Sequence, residues 1–320
     1  MPKNRRVAVV QAAPVSFNLP ESLAKVRDLT ENAARQGAQL VVFPEAFLSA
    51  YPRGITFNTV VGHRDPEGRE WYRRYWDSSV DIPGPAVKTL CDIAKENRVH
   101  LVIGVIERDG GTLYCTALFL GPDGAYLGKH RKLGPTGAER LVWGRGDGST
   151  MPVFSTEVGK IGASICWENY MPLFRAAMYQ KGVEVLCVPT ADGRETWLPT
   201  MRHIALEGRC FVLSSNQFAR RSDYPEDYLA FQNQASDSIV TVGGSCIIDP
   251  LGNVLAGPNF DGEAVLIADI DLDDITRAKF DLDAVGHYSR PDVFRLLVNE
   301  SSQKLGTPGW PQSPTTESEE

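Results

Sequence analysis

Lys160-Ile161-Gly162-Ala163-Ser164-Ile165-Cys166-Trp167-Glu168-Asn169-Tyr170 is the stretch on which the reading of the chain turns. A small apolar run ends at a cysteine, and a helix is expected from about Met171 to Lys181. Cys166 is therefore placed at the C-terminal end of a strand, before the first turn of a helix. Sites in α/β sheets gather at such ends, and a helix N-terminus lowers a thiol pKa and makes the sulfur nucleophilic. The plainer reading is a buried cysteine packing as a small hydrophobe. Position alone leaves both open.

Other strands repeat the pattern. Val7-Ala8-Val9-Val10 is a buried-strand run, Glu21 to Gln36 carries apolar residues at helical spacing, and Leu40-Val41-Val42-Phe43 is a second buried strand ending at Pro44-Glu45. This β-α-β order predicts neighbouring strands in one sheet, with Glu45 at an outgoing strand end as Cys166 is. The segment from Phe47 to Val80 is aromatic-rich and is predicted to be irregular. A helix follows over Ala86 to Asn97, then a strand over Leu101 to Ile106. Gly121-Pro122-Asp123-Gly124 is a turn joining two further strands, Leu113–Leu120 and Ala125–Arg131, and Lys132 follows directly. After Cys166 come the strand Val185–Pro189, a helix from Trp197 to Gly208, the strand Phe211–Ser214 and a second hairpin around Asp249–Asn253. β-α-β units mixed with hairpins predict an α/β protein of mixed sheets with helices outside. Residues 1–300 read as one domain, and 301–320, dominated by Gly, Pro, Ser, Thr and Glu, as a disordered acidic tail.

Composition narrows the function. The 320 residues are 42% hydrophobic and 23% charged, as in an ordinary globular protein. A formal net charge of -7 without a basic run argues against nucleic acid as a partner. No apolar stretch approaches the roughly 20 residues that span a bilayer, so no membrane partner is expected. The six cysteines are scattered singly, without Cys-x-x-Cys or Cys/His zinc spacing, so no metal is expected and a reduced cytoplasmic setting is. None of the five histidines is singled out by its surroundings.

Three blocks now stand in order: Pro44-Glu45, His130-Arg131-Lys132 through Glu139, and Cys166-Trp167-Glu168-Asn169. Together they resemble the signature blocks of the nitrilase, or carbon–nitrogen hydrolase, superfamily, over roughly residues 6 to 295. The resemblance implies a four-layer α-β-β-α sandwich and a catalytic set of Glu45, Lys132 and Cys166, with the second glutamate of the lysine block at Glu139. It implies no cofactor. Chemistry agrees: a thiol attacks a reluctant carbon, a carboxylate accepts its proton and activates water, and a fixed ammonium lowers the thiol pKa and stabilises developing charge. Glu139 would position Lys132 or the substrate, or relay protons; its plainer reading is a partner for Arg131 or Arg140.

Cys166-Trp167-Glu168-Asn169, Tyr51-Pro52-Arg53-Gly54 and Gly286-His287-Tyr288-Ser289-Arg290-Pro291-Asp292 resemble the true nitrilase branch. The expected reaction is hydrolysis of a small organic nitrile to its carboxylic acid and ammonia. The alternatives are an amidase or carbamoylase, or a cyanide-hydrolysing member, with the same three groups. Gly134 and Ala50 depart from the branch, where a larger side chain and a glycine are expected. Tyr51, Trp143, Trp167, Thr190 and Trp197 are candidate substrate-binding residues, suited to a nitrile with an apolar body. The resemblance also implies a homo-oligomer built from a dimer and extended into spiral filaments, with Trp71–Trp76 and the Tyr288 region as candidate contacts.

Overall fold

Val7-Ala8-Val9-Val10 is buried on both faces, which is why the run is continuously apolar rather than alternating. The computed structural model describes residues 4–303. In chain order its elements are β1 (Asn4–Gln11), α1 (Leu19–Arg35), β2 (Leu40–Val42), α2 (Pro66–Asp77), β3 (Val80–Asp81), α3 (Pro85–Asn97), β4 (His100–Asp109), β5 (Thr112–Leu120) and β6 (Tyr126–Arg131). They continue with β7 (Val153–Thr156), β8 (Gly159–Ala163), α4 (Pro172–Gln180), β9 (Val185–Thr190), α5 (Trp197–Gly208) and β10 (Phe211–Asn216). β11 (Phe218–Arg220), β12 (Ile239–Val242), β13 (Ser245–Ile248), β14 (Val254–Asn259), β15 (Ala264–Asp271) and α6 (Asp273–Ala278) complete the order.

Two mixed sheets result. One runs β15-β1-β2-β4-β5-β6, with β3 on β4; the other runs β14-β13-β10-β9-β8-β7. β1, β2 and β4 are parallel, as are β8, β9 and β10, and the hairpin strands flank them antiparallel. Alternate residues of each strand serve different layers. Val7, Val9 and Val42 meet Ile161, Cys187 and Leu213 between the sheets. Ala8, Val10 and Val41 point the other way, onto Val26 and Ala33 of α1 and Leu90 and Ile93 of α3. Leu186, Val188 and Val212 pack on Phe174 and Met178 of α4 and on Met201 and Ile204 of α5. Helix, sheet, sheet and helix stack as four layers.

The segment expected to be irregular contains α2. Asp65 caps it by accepting from the Gly68 amide at 2.7 Å, with Pro66 in the first turn. Trp71 and Tyr75, four residues apart, share its buried face with Phe17, Phe57 and Tyr228 around them. Those two rings belong to the core of the chain itself, while Tyr72 and Trp76 are partly buried and Tyr288 is 64% exposed. From residue 304 the acidic tail expected over 301–320 lies outside the described residues. Among the described residues no helix is long and apolar enough to cross a membrane.

Candidate active site

Glu45, Lys132 and Cys166 each follow a strand, two from one sheet and one from the other. Beyond β2 the Phe43 amide still donates to the Val102 carbonyl at 2.8 Å, and the chain then crosses β4 at Gly104. A Cβ on Gly104 would lie 2.3 Å from the Pro44 carbonyl oxygen and 2.6 Å from the Ala46 nitrogen, so this strand position must be bare. The Gln217 side chain donates to the Glu45 carbonyl at 2.9 Å, fixing the turn from the other sheet.

Lys132 continues from β6, its amide donating to the Cys115 carbonyl and its carbonyl accepting from Gly146, both at 2.8 Å. Its fully buried ammonium donates to Glu45 Oε1 at 2.7 Å and to Glu139 Oε2 at 2.8 Å. Glu139 sits on a short 3-10 turn, Gly137–Leu141, and also accepts from the Thr136 amide and the Tyr51 hydroxyl, each at 2.7 Å. Arg131 instead pairs with Glu107 and Asp109, and Arg140 donates to the Gly137 carbonyl, so neither takes Glu139.

Cys166 opens a 3-10 turn, Cys166–Tyr170, with α4 starting only at Pro172. Its φ of 50° is left-handed, a strained setting for a side-chain-bearing residue and one met at functional sites. Asn169 holds this conformation by donating to the Cys166 carbonyl at 2.7 Å while accepting from the Ser164 hydroxyl at 2.8 Å. The Thr190 hydroxyl donates to Cys166 Sγ at 3.3 Å, and the Ala191 amide also donates to the sulfur.

Burial, then the charge of Glu45, pushes the Cys166 thiol up to about 12, although Lys132, Thr190 and Ala191 act to lower it. Lys132 acts on the thiol in the direction expected from the sequence, but burial outweighs the ammonium and the net shift is upward. Burial also raises the Glu45 carboxyl, and Lys132 offsets this only in part. For Lys132 burial acts to lower the pKa, but the negative charge of Glu45, with Glu139 beside it, holds it well above its ordinary value. Glu45 Oε1 is engaged by Lys132 and by the Cys115 thiol at 3.4 Å. Its Oε2 is buried without a hydrogen-bond partner in the protein.

The sulfur opens into a cavity of about 360 Å³. Tyr51 and Trp167, two of the candidate binding residues, line it together with Glu139, and Arg53, Asp192, Arg194, Val240, Thr241 and Val242 are among its other lining residues. The Trp167 indole donates to Asp192 at 2.8 Å and lies under the Arg194 guanidinium, 4.7 Å from its ring centre. These charged groups stand within a lining that is otherwise largely apolar. Trp143 stands behind Tyr51, edge to face at 5.8 Å, on an adjoining cavity. Thr190 touches the sulfur itself. Trp197 is not brought to the cavity: as the first residue of α5 it points onto the sheet, bonds Ser214 at 2.9 Å and packs in the outer core. Gly134 is also off the cavity wall, and a Cβ there would meet nothing within 4 Å. Among the described residues no group of His, Cys, Asp and Glu is arranged to hold a metal ion.

A thiol at a cavity floor, backed by a buried ammonium and two carboxylates, is the equipment of a thiol-dependent hydrolase. Residues 6–280 match the carbon–nitrogen hydrolase family. The chain is 57% identical over 300 residues to a bifunctional nitrilase/nitrile hydratase of Lupinus angustifolius, covering 92% of this chain and 86% of that protein. It is 54% identical over 304 residues to nitrilase 2 of Arabidopsis thaliana, covering 93% and 90%, and 54% identical over 303 residues to a nitrilase of Bradyrhizobium diazoefficiens, covering 95% and 94%. Among solved structures, Nit3 of Saccharomyces cerevisiae, a member of branch 10 of the nitrilase superfamily, superposes with a TM-score of 0.69 at 23% identity, over 89% of this chain and 96% of that one. An amidase from Nesterenkonia does so at 0.65 and 22%, over 85% and 92%. The chain belongs to the carbon–nitrogen hydrolase family, and within it to the nitrilases.

Proposed function

We propose that this protein hydrolyses a small organic nitrile to the carboxylic acid and ammonia, with Cys166 as nucleophile, Glu45 as general base and acid, and Lys132 as electrostatic stabiliser. The observation that carries the reading is the buried Lys132–Glu45 pair, 2.7 Å apart, set behind a cavity that the Cys166 thiol lines, in a chain more than half identical to nitrilases. Glu45 takes the Cys166 proton as the sulfur attacks the nitrile carbon. That proton passes to the nitrile nitrogen, giving a neutral thioimidate, while Lys132 stabilises the nitrogen's developing charge. Glu45 then deprotonates a water that adds to the same carbon. Collapse with a protonated nitrogen leaving releases ammonia and gives a thioester, which a second water hydrolyses. Collapse with the sulfur leaving would release the amide instead. Glu139 holds the Lys132 ammonium, and Tyr51 holds Glu139.

Ammonia release from phenylacetonitrile, butyronitrile and benzonitrile, each beside its amide, tests the reading. Turnover of at least one nitrile, abolished by Cys166→Ala, is expected; turnover of the amides alone would favour an amidase. A cytoplasmic setting is supported by six free thiols, five of them buried. A dimer-based homo-oligomer is supported by Leu173, Tyr170, Met171 and Leu206, which leave an apolar surface exposed around α4 and α5. A monomer by light scattering would contradict it.

A further inference from the structure

His130 and Glu168 flank the reacting groups in sequence, each two residues from one of them: His130 before Lys132, Glu168 after Cys166. Both are buried, and they meet at 2.8 Å. The Glu168 carboxylate collects three hydrogen bonds that come from both strand ends. Oε1 accepts from the Leu133 amide at 2.6 Å; Oε2 accepts from the Ile165 amide at 2.7 Å and from His130 Nε2. Leu133 adjoins Lys132, and Ile165 adjoins Cys166. One side chain therefore bonds the backbone on either side of the site.

The ring is charged. His130 Nδ1 lies 2.6 Å from the Thr150 carbonyl, which only accepts, so this nitrogen carries a proton. Nε2 faces a carboxylate oxygen already accepting from an amide, so it donates too. Burial opposes the charged form, yet Glu168 and the Thr150 carbonyl hold the His130 pKa above its ordinary value, with Lys181 as an opposing positive charge. The face of the ring rests on Phe174 of α4, 5.5 Å between centres.

Such a pair is not needed for stability, since replacing a buried ion pair by apolar residues of like volume is often neutral or stabilising. What apolar residues cannot do is bind the Leu133 and Ile165 amides at fixed, directional distances. We propose that His130 and Glu168 are positioning residues, a charged clamp that sets the spacing of the Lys132 ammonium from the Cys166 sulfur during attack. The inference rests on Cys166 being the nucleophile of nitrile hydrolysis, but one of its tests needs no turnover.

The variants are Glu168→Gln, His130→Gln, which keeps a donor toward Glu168, and His130→Phe, which keeps ring volume alone. Each is compared with the full-length wild type on whichever of the three nitriles that enzyme turns over fastest, and by the rate at which iodoacetamide alkylates Cys166, followed by peptide mass spectrometry. For Glu168→Gln and His130→Phe, kcat is expected to fall about 100-fold, as for a displacement near 1 Å, with KM little changed and alkylation slowed in parallel. His130→Gln should recover roughly a tenth or more of the wild-type kcat. Folding is checked by circular dichroism; should Glu168→Gln not fold, the two His130 variants decide on the same readings. Equal kcat in His130→Gln and His130→Phe, or melting temperatures that fall while alkylation stays at the wild-type rate, would overturn the clamp. Alkylation slowed without any nitrile being hydrolysed by the wild type would count against the nitrile reading and leave the clamp standing.

Discussion

Adding one methyl group to Gly104 tests whether the backbone of β4 sets the position of Glu45. In Gly104→Ala the new carbon would lie 2.3 Å from the Pro44 oxygen, 2.6 Å from the Ala46 nitrogen and 2.7 Å from the Glu45 Cα. The shortest of these is roughly 1 Å short of ordinary contact. β4 cannot retreat, because it pairs with β2 on one side and along its whole length with β5 on the other. The Pro44–Ala46 segment must lift, and the Glu45 carboxylate moves with it, away from Lys132. A displacement of about 1 Å at a reacting group costs on the order of 100-fold in rate, or about 2.7 kcal/mol of barrier. Overpacking should also cost about 1–3 kcal/mol of stability. Ammonia release gives kcat, and a thermal melt separates lost activity from lost fold. A folded variant with kcat within about threefold of wild type, less than 1 kcal/mol of barrier, would refute the argument that Gly104 seats the base.

Ala50, where a glycine was expected, has φ of 144° and is fully buried, a backbone setting that suits glycine. Relief of about 1–3 kcal/mol of strain, less about 0.5–1 kcal/mol of glycine entropy, predicts that Ala50→Gly leaves Tm unchanged or raises it by up to about 4 °C; calorimetry showing a lower Tm would contradict this. Glu139→Gln removes one of the two charges beside Lys132 and is expected to lower kcat about 10–100-fold. It should also raise the amide share of the product, because weaker proton delivery to nitrogen favours departure of sulfur; chromatography showing an unchanged ratio would count against that partition. In the proposed reaction Glu45 must be ionised to accept the thiol proton, and burial raises its pKa. The rate kcat/KM should therefore fall with decreasing pH at a value above the ~4.3 of a free glutamate, whereas Lys132, held well above its ordinary value, stays protonated through the working range. An acid limb at or below that value would remove burial as the cause.

The central parallel strands were legible because both their faces are covered, so β1, β2 and β9 appear as unbroken apolar runs. Hairpin turns and most helices were legible from local sequence: α5 begins at Trp197 and ends at Gly208, the bounds expected. α2 was missed because its aromatic residues mask a four-residue spacing that becomes meaningful only against Phe17 and Tyr228. β11 and β12 were missed because strands of three and four residues, 18 residues apart, carry no alternation of their own. Yet β12 supplies Val240, Thr241 and Val242 to the cavity, so the far wall was invisible. Asp192 and Arg194 follow β9 with no motif to mark them. His130 looked like any other histidine, since its partner lies 38 residues on, and the net pKa of Cys166 depends on burial that spacing does not reveal.

Glu45 and Lys132 leave one sheet while Cys166 and Thr190 leave the other, so no reacting geometry exists within either sheet alone. Catalysis is thereby a gauge of how the two sheets are docked, more exacting than the helix and strand content of each. In rising urea, turnover should fade while the far-UV signal is still native, because a slight widening of the apolar seam parts ammonium from sulfur before any ladder of backbone bonds is lost. The fold keeps its chemistry in a joint, and what unfastens the joint first silences the enzyme.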